Sequence, residues 1–246
     1  MTVNQQQIAA LIKSHFQIPL QLDFHIFETL PSTNQTLWQL INQGATAGTV
    51  VIALQQTAGR GQWGRQWSSP MGGLYLSLAL ATNLPAVDSS QLTLCSVWGI
   101  ATALRDCGIP VLIKWPNDLI LGGRKLGGIL TETRVQQGQI TRAIVGVGIN
   151  WTNATPETGI NLQSFLKEQS NPILTSLEEL TALTLKGLLS GYEQASTAGI
   201  ETLLPSYLEL LTSKGRQVVV EGRSGVVVGV TPTGELQVCF DTDSAP

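Results

Sequence analysis

Histidine is almost missing from this chain. His15 and His25 are the only two, and both lie near the N-terminus, away from the other polar clusters. A histidine-dependent catalytic triad or a zinc centre is hard to build from them, so a surface or satisfied core role suits each better. Cysteine is as scarce. Cys95, Cys107 and Cys239 are odd in number and lack metal-ligand spacing, which favours buried, reduced thiols in a cytosolic protein over a disulfide framework. No apolar run is long enough to span a bilayer, and the N-terminus lacks the basic flank, apolar core and cleavage site of a signal peptide. Charge is sparse and slightly acidic, with 14 Lys plus Arg against 17 Asp plus Glu, so the surface as a whole does not suit a polyanion.

What remains is apolar and turn-rich. Hydrophobic residues make up 43% of the chain and glycines number 25, a composition of a globular, strand-containing protein. At 246 residues it fits one large domain, or one large and one small. Ile8, Leu11, Ile12 and Phe16 recur at helical spacing over 4–16. Strands are expected at 23–29, 49–56 and 74–80, with Ser32 or Thr33 capping a helix between the first two. Residues 88–108 read as a buried helix. Strands follow at 111–113, 118–121, 126–135 and 140–149, with hairpin turns at Gly122-Gly123 and Gln137-Gly138. Residues 153–172 form a polar connection, then come helices near 175–195 and 200–212. From Lys214 the texture changes to short strands at 217–221, 225–230 and 235–240. We expect a domain over 1–212 and a small β domain over 213–246, which must dock on the first because so few residues bury little core alone.

Two stretches concentrate the positive charge. Gly59 to Pro70 reads Gly-Arg-Gly-Gln-Trp-Gly-Arg-Gln-Trp-Ser-Ser-Pro. Lys114 to Thr133 opens on Lys-Trp-Pro-Asn-Asp and continues through Gly-Gly-Arg-Lys-Leu-Gly-Gly-Ile-Leu-Thr-Glu-Thr. Five of the 14 basic residues fall there: Arg60, Arg65, Lys114, Arg124 and Lys125. In so uncharged a chain this points to a site for phosphate or carboxylate. The first stretch matches the dinucleotide fingerprint literally, but a strand rather than a helix is expected after it, so no helix N-terminus would hold a pyrophosphate. A mobile loop fits better, with glycines admitting backbone N–H groups and arginines offering forked donors. An ordinary surface loop would leave Trp63 and Trp67 unexplained. Pro116 interrupts the strand pattern, so Asn117 and Asp118 are either simple turn residues or are aimed by the bend into a cleft. Gly122 to Lys125 is either a basic hairpin tip or a means of sending the Lys125 ammonium into a pocket. Ser32-Thr33-Asn34 offers more polar groups than capping needs, and Asn150 ends a glycine-flanked strand with an amide.

Taken in order and spacing, Ser32-Thr33-Asn34, Gln56 to Pro70, Lys114 to Glu132 and Gly146 to Asn150 resemble the biotin–protein ligase family. The likeness is strong over about residues 25–150 and weak over the C-terminal β pattern. It implies an α+β fold: a mixed, largely antiparallel central sheet with helices packed on it, like class II aminoacyl-tRNA synthetases and lipoate ligases, plus a small SH3-like barrel. It implies activation of biotin by ATP to biotinyl-5′-AMP, with Mg²⁺, then transfer to a lysine of the biotin carboxyl carrier protein of acetyl-CoA carboxylase. Lys125, Arg60 and Asp118 would be catalytic. Ser32, Thr33, Asn34, Gln56, Arg60, Gly61, Gln62 and Lys125 would hold biotin. Arg65, Trp67, Asn117 and Asn150 would hold ATP, and no protein residue would ligate a metal. Gln62 departs from the family, which often has arginine there. Regulatory members carry an N-terminal winged helix, for which about thirty residues before Ser32 are too few, so no repressor role is expected. The reading places the protein in the cytoplasm, without DNA or membrane partners, and is compatible with a homodimer. Lipoate–protein ligase and a non-catalytic biotin-binding module are the alternatives.

Overall fold

The computed structural model describes residues 3–15, 21–169 and 172–240. The chain runs α1 (Gln5–His15), β1 (Asp23–Leu30), α2 (Thr33–Asn42), β2 (Thr49–Gln56), β3 (Gly73–Leu80), α3 (Ser90–Asp106) and β4 (Leu112–Lys114). It continues through β5 (Asp118–Leu121), β6 (Arg124–Gln136), β7 (Gln139–Asn150), α4 (Leu162–Leu166), α5 (Leu177–Ala198) and α6 (Ile200–Leu210). It ends on β8 (Gln217–Val220), β9 (Arg223–Val230) and β10 (Leu236–Phe240). Phe16 and the side chain of His15 lie outside the described residues.

Strands β1 to β7 form one sheet in the order β1-β2-β3-β7-β6-β5-β4, parallel between β1 and β2 and antiparallel elsewhere. The expected hairpins are present. Gly122-Gly123 and Gln137-Gly138 have positive φ at both central residues, the conformation that matches the twist of paired strands. The period of two along each strand divides the sheet into faces. Leu74, Leu76, Leu78 and Leu80 of β3 join Val145, Val147 and Ile149 of β7 in the main core beneath α3, α5 and α6. The alternate residues face α2, where Leu30, Leu37, Val51, Ala53, Ala79 and Ile144 form a smaller cluster. Further along that second face the apolar residues give out. Ser77, Gly146 and Gly148 take their place and open room for a site.

Helix α5 begins with a reciprocal cap, Ser176 Oγ accepting from Glu179 N–H while the Glu179 carboxylate accepts from Ser176 N–H. It crosses α3 through Gly99, Gly187 and Gly191. A Cβ at Gly99 would stand 2.0 Å from the Gly187 carbonyl oxygen. Gly99→Ala should therefore push the helices apart at an overpacking cost of about 1–3 kcal/mol. Thermal denaturation should show a drop of roughly 2–4 °C per kcal/mol. An unchanged melting temperature would mean the helices are not this close.

The C-terminal strands form a separate antiparallel sheet, β10-β9-β8, whose Val227 and Val230 enter the main core. Trp115 Nε1 donates to the Gly234 carbonyl at 2.9 Å and fastens the sheet to the turn before β5. Two expectations need correction, and the N-cap at Ser32 is met. The connection over 153–172 contains α4, capped by Asn161, whose side chain accepts from Ser164 N–H; residues 170 and 171 lie outside the described residues. Ser32 is the N-cap of α2 but makes no side-chain cap bond. The cysteines are free thiols yet not uniformly buried: burial pushes Cys95 up to about 12, Cys107 is half-buried and Cys239 is exposed.

Candidate functional site

Where the α2 face loses its apolar residues, a cavity of about 370 Å³ opens between the α2 N-terminus, the loop over 59–70 and the turn before β5. Register builds its floor. Gly146 pairs with Ser77 on one side and Leu130 on the other, and Gly148 pairs with Tyr75 and Gly128. A Cβ at Gly146 would lie 2.3 Å from Asn34 Oδ1, and one at Gly148 would lie 2.5 Å from Trp67 Nε1. Two bare glycines thus seat two polar side chains from opposite walls.

One wall is uncharged. Ser32, Thr33, Asn34 and Ser77 are buried. Ser77 Oγ lies 2.7 Å from Thr33 Oγ1 and 2.6 Å from Asn34 Oδ1. A hydroxyl has one proton, so Ser77 donates to Asn34 Oδ1, which has none to give, and accepts from Thr33. Gln56 Oε1 accepts from the Thr33 N–H at 2.8 Å, and its amide donates to Ser69 Oγ at 2.7 Å. The Asn34 amide donates to Glu132 Oε2 at 2.8 Å. Thr33, Asn34, Gln56 and Ser77 are each oriented by another residue, as a preorganised hydrogen-bonding wall requires.

The facing wall is cationic. Trp115 to Asn117 form the turn joining β4 to β5, with Lys114 and Asp118 paired across it. Asn117 donates to the Ile129 carbonyl at 2.7 Å and fixes the turn to β6. Lys125 Nζ lies 2.7 Å from Asp118 Oδ1 and 5.2 Å from the centre of the Trp67 ring. Lys114 also lines the cavity. The 59–70 loop closes over the top. Gly61 N–H donates to the Arg65 carbonyl at 2.7 Å, and Trp67 N–H to the Gly59 carbonyl at 2.9 Å. Trp63, 73% exposed, holds φ at 54°, a left-handed conformation that a bulky residue keeps only under local constraint. No helix follows Gly64, the last glycine of the fingerprint: the single turn Gln62–Gly64 ends on it, and Arg65 is extended. Burial pushes the Tyr75 phenol up, so it stays protonated and donates to the Pro70 carbonyl at 2.8 Å, anchoring the loop's exit. Gln62 Oε1 and Trp67 Nε1 are buried without a partner among the described residues, an acceptor and a donor on residues that line the cavity.

All but one of the residues to which the resemblance gives a role line this cavity. Asn150 stands apart. It is buried beside the cavity, its amide donating to the Ile160 carbonyl at 3.3 Å and its Oδ1 accepting from Asn153 at 2.9 Å. Arg124 is exposed at the hairpin tip, and His25 pairs with Asp23 near the start of β1. The arginines of the loop do not simply repel one another: Arg60 pairs with Glu132 at 2.8 Å, and Arg65 lies 5.4 Å over the Trp63 ring. Sequence reasoning assigned no role to Ser77, Ser69 or Glu132. The available signal for Ser77 was a lone serine among the apolar and aromatic residues of strand Gly73–Leu80.

The fold and pocket define an α+β protein that binds small molecules, with one part of the ligand neutral and hydrogen-bonding and another anionic. Residues 26–150 match the model of the biotin/lipoate A/B protein ligase family. The biotin–[acetyl-CoA-carboxylase] ligase of Paracoccus denitrificans is 35% identical over 221 residues, 83% of this chain and 89% of the relative. The bifunctional ligase/repressor BirA of Bacillus subtilis is 40% identical over 125 residues, and the match spans 38% of its length. A solved biotin protein ligase from Aquifex aeolicus in complex with biotin and ATP superposes with a TM-score of 0.70 at 25% identity, over 88% of this chain and 91% of that one. The chain belongs to the biotin/lipoate A/B protein ligase family.

Proposed function

We propose that this chain is a biotin–protein ligase. The supporting observation is the opposition of a neutral, hydrogen-bonded polar wall and a cationic wall across one cavity. A cyclic urea has acceptor and donor edges that suit Ser32, Thr33, Asn34 and Gln56. A carboxylate and a triphosphate need Lys125, Arg60, Arg65 and Lys114. In the first step a biotin carboxylate oxygen bonds to the α-phosphorus of ATP and the bond to the β-phosphate oxygen breaks, releasing pyrophosphate. In the second a carrier lysine amine bonds to the acyl carbon, the bond to AMP breaks, and the amine loses its proton. Neither step needs a protein nucleophile. Both need negative oxygens held together, which is the work of fixed cations. Asp118 keeps Lys125 at the wall and is the carboxylate available to orient the incoming amine. Trp67 and Asn117 would contact the nucleotide, with Asn150 supporting that end from behind.

Among the described residues no group of three or more His, Cys, Asp or Glu is arranged to hold a metal ion. Asp118, the carboxylate lining the cavity, is paired with Lys125, and Glu132, next to the neutral wall, is paired with Arg60. Magnesium therefore belongs to this reading as part of the substrate MgATP, ligated by phosphate oxygens and water. The acceptor is taken as the biotin carboxyl carrier protein of acetyl-CoA carboxylase, and the compartment as the cytoplasm. Among the described residues no helix is long and apolar enough to cross a membrane. With a net charge of −3 and cations gathered at the cavity, the reading includes no DNA partner. The C-terminal sheet is read as a small SH3-like domain beginning near residue 213. Incubation with MgATP, labelled biotin and a carrier domain should give lysine-linked label. Absence of both pyrophosphate release and incorporation would remove the proposal, and preference for lipoate would replace it.

The 59–70 loop should act as a lid. Gly61 has φ at −114° and donates its N–H within the loop. Gly61→Pro forbids both, so the adenylate should escape about five- to tenfold faster, the scale of one hydrogen bond. Initial biotin binding should change less. Limited proteolysis gives a second check: equal cleavage of the loop with and without biotin plus ATP would count against a lid.

A further inference from the structure

One carboxylate ties the neutral wall to the 59–70 loop and has no part in the chemistry above. Glu132 Oε2 accepts from Arg60 at 2.8 Å and from the Asn34 amide at 2.8 Å. The side chain is 26% exposed, so the pair is partly shielded from water. From Asn34 the hydrogen bonds run through Ser77, Thr33 and Gln56 to Ser69, at the far end of the loop. The polar chain therefore leaves the loop at Arg60, passes along the neutral wall, and rejoins the loop at Ser69.

We infer that Glu132 is a positioning residue that aims Arg60 at the anionic part of the ligand while taking its own alignment from Asn34. A guanidinium has five N–H donors in a fixed fork. Arg60 gives one Nη to Glu132, and its other donors face no protein partner among the described contacts. A phosphate can take that free side without displacing Glu132. The carboxylate is held in turn by a buried amide, so the arginine is fixed before any ligand arrives. This inference rests on the reading of the cavity as a biotin and ATP site.

The test is a double-mutant cycle on release of the intermediate. Wild type, Glu132→Gln, Arg60→Gln and the double variant are loaded with labelled biotin and MgATP, and dissociation of labelled biotinyl-5′-AMP is followed. Glutamine keeps an oxygen for the Asn34 amide and loses the charge that holds Arg60. Glu132→Gln should speed release about tenfold when Arg60 is present and by less than about twofold when it is not, as coupled neighbours do. Biotin affinity of Glu132→Gln, measured by calorimetry without nucleotide, should stay within about twofold of wild type, because the neutral wall keeps its hydrogen bonds. Equal acceleration in both backgrounds, no acceleration, or a parallel loss of biotin affinity overturns the inference and leaves the ligase reading standing. A wild type that forms no adenylate removes the ligase reading itself, and the inference with it. Should Glu132→Gln fail to fold, Glu132→Asp, whose carboxylate is withdrawn by one methylene, carries the same comparison.

Discussion

Lys125→Ala should slow adenylate formation by about 10²–10³-fold, the loss seen when one preorganised donor is removed from a developing oxyanion. The reaction must bring a carboxylate against a triphosphate. A unit charge about 4 Å from an opposite one is worth roughly 4 kcal/mol at an effective dielectric near 20. Lys125 is the cation placed for this, its ammonium 2.7 Å from Asp118 and 5.2 Å from the Trp67 ring centre. The strand beneath it does not depend on the side chain. Lys125 N–H donates to the Thr158 carbonyl at 2.9 Å, and its carbonyl accepts from Ile160 N–H at 3.0 Å. The lysine side chain is 39% exposed, so solvent screens its ion pair, and losing it should cost the fold about 0–1 kcal/mol. Pyrophosphate release should fall while the melting temperature barely moves. A folded variant releasing pyrophosphate at near the wild-type rate would sink the assignment.

How much of this was legible in the sequence depends on whether the cause is local. The turns at Gly122-Gly123 and Gln137-Gly138 were legible because positive φ is a local demand that glycine meets. The start of α2 was legible from its capping residues, and Lys114 to Asp118 from its turn chemistry. Ser77 and Glu132 were not. Each sits inside a strand, and its neighbours are decided by register: Ser77 opposite Gly146 in β7, Glu132 opposite Ile144. Nothing within several residues of Glu132 announces Asn34, almost a hundred positions earlier. The partners of Asn150 were hidden for a related reason. A strand-ending amide reads as free until the following segment folds back, and here Asn153 and the Ile160 carbonyl take it up. Helix α4 was hidden because a five-residue helix inside a polar connection has too few apolar positions to show a period.

Trp67→Ala should raise the Michaelis constant for ATP by about ten- to a hundredfold, following a stacking energy of roughly 1–3 kcal/mol per base. The indole is half-buried above Gly148, where a methyl group would lie 2.5 Å from its Nε1. That close seating holds the ring at the cationic side of the cavity, with the Lys125 ammonium over it. Its Nε1–H is buried without an acceptor among the described residues, so a ligand atom there would satisfy a group that otherwise costs free energy. The neutral wall stands on Asn34 above the neighbouring glycine, Gly146, and its bonds run through Ser77, Thr33 and Gln56. The Trp67 side chain makes none of them. Removing the indole should therefore leave recognition of the ureido ring nearly intact while the nucleotide loses its platform. Only the Trp67 carbonyl touches that wall, accepting from Ser69 Oγ at 3.1 Å, and alanine keeps it. Calorimetric titration of biotin and of ATP into wild type and Trp67→Ala separates the two ligands. If biotin affinity falls as far as ATP affinity, Trp67 belongs to both ligands and the division of the cavity into a neutral and a nucleotide half is wrong.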